Sequence, residues 1–148
     1  MFEIIPYQSI GPIRFGMSAD ELTAAVGKPV NVSKSRLGET EYKYPGFRVA
    51  LSAKDGRVVE VGVVPDTELV LDGIKIFSAP DSFDTLVRKD GDPYEYLGFI
   101  IFPNLGITMT GFHDKDESQK AVTVFAKGRW DGLKSKLKKY DKTTKEQV

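Results

Sequence analysis

Two stretches of this 148-residue chain carry the same punctuation, and that likeness constrains its fold more than any single residue does. At an offset of 64, Ser18 falls on Ser82, Leu22 on Leu86, Gly27-Lys28-Pro29 on Gly91-Asp92-Pro93 and Val58 on Val122. Between them the offset drops to 58, where Tyr44-Pro45 falls on Phe102-Pro103, and Phe47, Val49 and Leu51 fall on Leu105, Ile107 and Met109. The six residues lost and regained sit in a polar loop over 33–40 and in the turn 114–120, where chain length is free to vary. The spacing predicts one structural unit used twice.

That unit reads as a helix followed by an antiparallel meander. Ser18, with Glu21 three positions on, is a capping box; Leu22, Ala25 and Val26 form a one-sided apolar stripe, and Gly27 with Pro29 stops it. A helix is therefore expected over 19–26. Residues 41–44, 47–51 and 58–64 alternate or are β-branched, and Pro45-Gly46 and Asp55-Gly56 separate them as turns, which gives a three-stranded meander. Residues 69–77 add a short strand pair or an extended connection around Asp72-Gly73. By the period of two, Phe47, Val49, Leu51, Leu105, Ile107 and Met109 share the helix-covered face, leaving Arg48, Ala50, Thr108 and Thr110 for solvent. The expected class is α+β: a tandem repeat of helix plus antiparallel β-meander forming an extended sheet, with a C-terminal helix. One compact unit would then comprise a first repeat over 10–76, a second over 77–129, and a basic helix and tail over 130–148.

The run Ile10-Gly11-x-Ile13-x-Phe15-Gly16-Met17-Ser18-x-x-Glu21-Leu22, continuing through Val26-Gly27-Lys28-Pro29 into a meander, resembles the repeat unit of the β-lactamase-inhibitor-protein-like fold. It is also similar to the SmpA/OmlA outer-membrane assembly lipoproteins. The resemblance is clearest over residues 10–64 and implies two units side by side, an extended sheet surface, and a role in protein binding or inhibition. The inhibitors' cysteines and the lipoproteins' lipid-bearing cysteine have no counterpart here, because the chain contains no Cys.

The same absence removes disulfides, thiolate nucleophiles, Cys-ligated metals and Cys lipid anchors from consideration. Basic and acidic residues balance at 21 each, which argues against a surface built throughout for nucleic acid or anionic membrane. No basic segment opens the chain, and the longest apolar run, 97–102, is too short to span a bilayer. A cytoplasmic protein is expected. The single histidine lies in Phe112-His113-Asp114, where an imidazole beside a carboxylate offers the minimum for a general base, without any nucleophile motif to serve it. Asp114-x-Asp116-x-Ser118 begins like a calcium loop, but Gln119 and Phe125 occupy the positions that need Gly and Glu. No catalytic residue, cofactor or metal is expected, and Asp90-Gly91-Asp92 reads as the exit of the second helix.

Recognition fits the residues better than catalysis. Tyr42, Tyr44, Tyr94, Tyr96, Phe112 and Trp130 cluster around the expected strands, and rigid amphipathic rings are the usual anchors of interfaces. With His113 and Asp114 they form the candidate partner-binding set. Trp130, Leu133, Leu137 and Tyr140 fall on one helical seam. Residues 132–148 hold six lysines against Asp141 and Glu146, a net charge of +4, which leaves −4 on residues 1–131. The expected function is a non-catalytic protein-binding or inhibitor module, a cytoplasmic immunity protein that neutralises a bacterial toxin. The alternatives are a small-ligand-binding protein or hydrolase with a pocket near His113 and Asp114, and an envelope-assembly scaffold.

Overall fold

The computed structural model describes residues 1–140. The chain opens with three short strands, β1 (Phe2–Ile5), β2 (Ser9–Ile10) and β3 (Ile13–Arg14), and enters helix α1 (Ala19–Val26) through the capping box. The Glu21 N–H donates to Ser18 Oγ at 3.2 Å and the Ser18 N–H to Glu21 Oε1 at 3.1 Å, so two otherwise orphaned amides are satisfied reciprocally. Four strands follow: β4 (Asn31–Lys34), β5 (Thr40–Tyr44), β6 (Phe47–Leu51) and β7 (Val58–Val63). Strands β8 (Leu69–Leu71) and β9 (Ile74–Lys75) turn at Asp72-Gly73, where both residues have positive φ, as such a tight hairpin requires. Helix α2 (Ser82–Asp90) ends on Gly91 in the left-handed conformation. The chain continues as β10 (Tyr94–Tyr96), β11 (Phe99–Phe102), β12 (Ile107–Thr110) and β13 (Ala121–Phe125), then a 3₁₀ turn at Asp131–Lys136 and strand β14 (Lys138–Lys139).

These elements make a mixed α+β protein of two helices and mostly antiparallel sheets. Nine strands form one sheet in the order β14-β10-β11-β12-β13-β7-β6-β5-β4. A five-stranded sheet has the order β3-β2-β1-β8-β9, in which β1 and β8 run parallel. The main core lies on one face of the nine-stranded sheet. There Val49, Leu51, Val61, Val63, Ile100, Phe102, Ile107, Met109, Val122 and Val124 meet Ile4, Ile10, Leu69 and Leu71 of the smaller sheet, Leu22 of α1 and Leu86 of α2. Each such aliphatic side chain contributes about 1.5–3 kcal/mol by leaving water. Leu105, Ile107, Met109, Val49 and Leu51 are buried on this side as the alternation predicts, and Phe47 is half-buried.

The other face departs from expectation. Ala50 and Thr108 are 1% and 2% exposed rather than open to solvent, while Arg48 and Thr110 are half-buried. The cause is a return of the chain after β13: the Ala126 N–H donates to Val59 C=O at 2.9 Å, and Arg129 reaches back to Glu60 and Glu39. The expected basic helix over 130–148 also differs over its described part. Residues 131–136 form a 3₁₀ turn, Leu137 is extended, and β14 pairs with β10 through Lys139–Tyr94 and Lys138–Glu95. A glycine at position 132 costs an α-helix about 1 kcal/mol, and the open strand β10 offers these residues backbone partners that a helix would forgo. The remainder of that expected helix, 141–148, lies outside the described residues.

Candidate functional site

The eight candidate residues fall in three places. Tyr42 and Tyr44 lie on β5, on the core face. The Tyr44 O–H donates to Gly27 C=O at 3.0 Å and its ring stacks on Phe47 with centroids 4.7 Å apart, so it ties the end of α1 to the sheet. Burial pushes its phenol pKa up. Tyr42 packs half-buried against the same core.

Tyr94, Tyr96 and Trp130 come together on the outer face of the nine-stranded sheet. Register places Tyr94 beside Ile101 and Tyr96 beside Phe99, and alternation turns these side chains away from the core. Trp130, on the returning chain, meets Tyr96 edge to face at 6.2 Å and Phe125 at 6.3 Å. Between sheet and returning chain lies a cleft of about 870 Å³, lined by Tyr7, Tyr94, Ile101, Phe125, Trp130 and Leu137, with Asp92, Asn104, Asp131 and Lys134 among its polar groups. The Tyr94 O–H donates to Asp92 Oδ2 at 3.1 Å, and that hydrogen bond to a carboxylate raises its pKa. Trp130 Nε1 is buried without a hydrogen-bond partner. A buried indole N–H normally has one.

Phe112 and His113 line a second cleft, of about 660 Å³, between α2 and the turn after β12. Phe112 stacks on Phe77 at 5.9 Å with Lys120 Nζ 4.8 Å from its ring centre, and His113 lies against Phe83 and Tyr140. His113 Nδ1 is buried and unpartnered. Asp114 is exposed and accepts from the Asp116 N–H at 3.3 Å. The imidazole and carboxylate that adjoin in sequence therefore do not form a hydrogen-bonded pair. Asp116 accepts in turn from the Ser118 N–H at 3.1 Å, so the acidic run is a locally bonded turn.

Two groups of residues escaped the sequence reading. Tyr7, which donates to Pro103 C=O and meets Phe125 at 5.8 Å, closes one end of the larger cleft from the far end of the chain. Arg129 forms a bidentate pair with Glu39, one arm at 2.8 Å, and donates through Nε to Glu60 Oε1 at 3.2 Å, while Arg48 takes the other Glu60 oxygen at 3.1 Å. The hydrogen bonds from Arg129 hold Glu39 below the usual carboxylate range. This cluster fixes the returning chain and so one wall of the cleft. Partners 69 and 90 residues apart leave no local pattern to read.

Among the described residues no three or more His, Asp or Glu side chains converge as a metal site, and no helix is long and apolar enough to cross a membrane. Compared with protein-family models, with curated proteins and with solved structures, the chain matches none.

Proposed function

We propose that this chain is a non-catalytic protein-binding module, a cytoplasmic immunity protein that occludes the active site of a cognate bacterial toxin. The observation that supports it is the aromatic cleft on the outer face of the nine-stranded sheet. Tyr94 and Trp130 line its walls, and Tyr96 backs Trp130. Trp and Tyr in a partly desolvated recess are what a protein interface uses as energetic anchors.

The tandem repeat is part of the same proposal. Strands β4–β7 follow α1 and β10–β13 follow α2, and the two sets meet where β7 pairs antiparallel with β13. There Val61 pairs with Val124 and Glu60 with Phe125. At the offset of 64, β7 maps onto β13, so the strands that join the two sets are counterparts paired antiparallel, as two copies of one unit related by a two-fold axis would be. The resemblance to inhibitor proteins built of two such units supports the inhibitory reading by analogy alone.

The test mixes the purified protein with the product of a toxin reading frame adjacent to its gene. A stoichiometric complex with loss of the toxin's activity is expected, weakened about 30-fold or more by Trp130→Ala or Tyr94→Ala, the ~2 kcal/mol of a hot-spot ring. Retention of a metabolite only, or inhibition indifferent to both substitutions, overturns the reading.

A second reading has its own observation: the 660 Å³ cleft at His113 has the dimensions of a small-molecule site and ring-lined walls. His113→Gln would abolish ligand binding or hydrolysis there, and unchanged activity would remove this reading.

A further inference from the structure

The core face of the nine-stranded sheet carries an apolar row that crosses seven strands, Phe102–Ile107–Val124–Val61–Val49–Tyr42–Val32, each paired with the next. The first five are fully buried, Tyr42 is half-buried, and Val32 on the edge strand β4 is 52% exposed. The row thus runs off an open edge. Val30, just before β4, is 73% exposed.

Natural sheets protect such edges by keeping them short or charged. Strand β14, at the other end of this sheet, is two residues long and both are lysine, and the outer strands of the smaller sheet, β3 and β9, are also two residues long. Strand β4 pairs with β5 over all four of its residues and presents its other side to solvent. The direction of its backbone groups follows from the ladder. The Ser35 N–H donates to Glu39 C=O at 2.8 Å, and alternation from that pair directs Ser33 and Asn31 toward β5. The N–H and C=O of Val32 and Lys34 therefore point outward, available to another strand.

The exposed charges on the Val32 face of this edge are basic. Lys28, Lys34 and Arg36 are exposed and form no ion pair among the described residues. Lys43 stands opposite Asn31 and Glu41 opposite Ser33, both on the other face from Val32 and Lys34. A second copy of the chain, aligned Val32 on Val32, would set Lys28 against Arg36, a like-charge contact that disfavours self-pairing.

We propose that β4 is a docking edge for an extended acidic segment of a protein partner, which adds as a tenth antiparallel strand, with apolar side chains opposite Val30 and Val32 continuing the row and, farther along the same face, carboxylates opposite Lys28, Lys34 and Arg36. Main-chain hydrogen bonds would supply affinity and the alternate side chains specificity. This goes beyond the inhibitor reading and requires only a protein partner, at a surface separate from the outer-face cleft.

The experiment titrates the full chain with a fluorescein-labelled, terminally blocked peptide Glu-Thr-Glu-Thr-Val-Thr-Val-Thr-Glu, whose Val and Glu share one face, with no toxin present, so its outcome is independent of inhibition. Saturable binding is expected, weakened by salt, lost when alternate peptide amides are N-methylated, and reduced at least tenfold by the Lys34→Glu/Arg36→Glu pair. Val32→Pro removes only an outward N–H and should reduce binding at least fivefold while thermal unfolding stays nearly unchanged. If that variant unfolds, amide shifts of residues 30–34 in the wild-type titration provide the readout. No saturation at concentrations on the order of 1 mM overturns the proposal. So does equal binding of the N-methylated peptide or of the same peptide with Lys in place of Glu. Binding of an oligothymidylate in place of the peptide would assign the edge to nucleic acid, and a dimer abolished by Val32→Pro would assign it to a second copy.

Discussion

Asp90 ends helix α2 with a carboxylate that is 5% exposed and accepts three backbone amides: Asn104 at 2.8 Å, Leu105 at 3.1 Å and Asp92 at 3.1 Å. Its main-chain carbonyl also takes the Asn104 side-chain amide at 2.8 Å, so one residue fastens the helix exit to the turn between β11 and β12. Asp90→Ala strands buried donors and should cost about 2–3 kcal/mol in denaturant unfolding. Burial raises the Asp90 pKa despite those bonds. The folded state therefore holds the proton to higher pH than the unfolded chain does, and this group's contribution to stability falls as pH rises from 3.8 through the folded value. The stability advantage of wild type over Asp90→Ala should be greater in acid than at neutrality, which unfolding curves at both pH values will check. Gly111 is equally constrained: at φ +79° a Cβ would lie 2.5 Å from the Lys120 amide nitrogen and 2.6 Å from the Asp116 carbonyl oxygen. Gly111→Ala should destabilise the turn that carries His113 by about 1–3 kcal/mol, lowering the thermal midpoint.

The segment from Ala126 to Tyr140 decides what the outer sheet face presents. Its anchor is Arg129, about a quarter exposed, in contact with two carboxylates that are each 14% exposed. Arg129→Ala should cost roughly 2 kcal/mol, less than the 3–5 kcal/mol of a fully buried pair because water reaches the guanidinium. Because Glu39 is held low in the folded state, its contribution is present above pH 4.5 and disappears as pH falls through the depressed value. The difference in stability between wild type and Glu39→Gln should be largest near neutrality and close on acidification. Sequence and structure part at this element. Helix α1 was legible because Ser18, Glu21 and Gly27 determine its ends from within one short local stretch of chain. The stretch from Trp130 to Tyr140 kept a helical period of apolar residues, yet its conformation is set by Arg129 and by pairing of Lys138–Lys139 with β10, partners absent from any local window.

At the scale of the molecule, the main buried cluster among the described residues includes residues of both helices and both sheets. Unfolding of the wild type should be a single transition, with far-UV circular dichroism and Trp130 fluorescence superimposing in urea. In Arg129→Ala, fluorescence should change first as the returning segment detaches. Distinct wild-type midpoints for the two probes would contradict the single core. The alternation in 47–51 and the turn at Asp72-Gly73 revealed strands and a hairpin, while the meeting of Tyr7 with Pro103 and the split of the candidate rings among three places depended on sheet order. The parallel partnership of β1 and β8 bears on how the chain is made. Phe2 pairs with Leu69, 67 residues downstream, so at 5–20 residues per second the first strand emerges from the ribosome about 3–13 s before its neighbour exists. Local hairpins close within microseconds, so β1 can fold early onto β2 but waits on translation for its other side. A newborn chain thus spends seconds with Phe2 to Ile5 half-covered, and slow codons before position 69 would lengthen its exposure to chaperones and to aggregation.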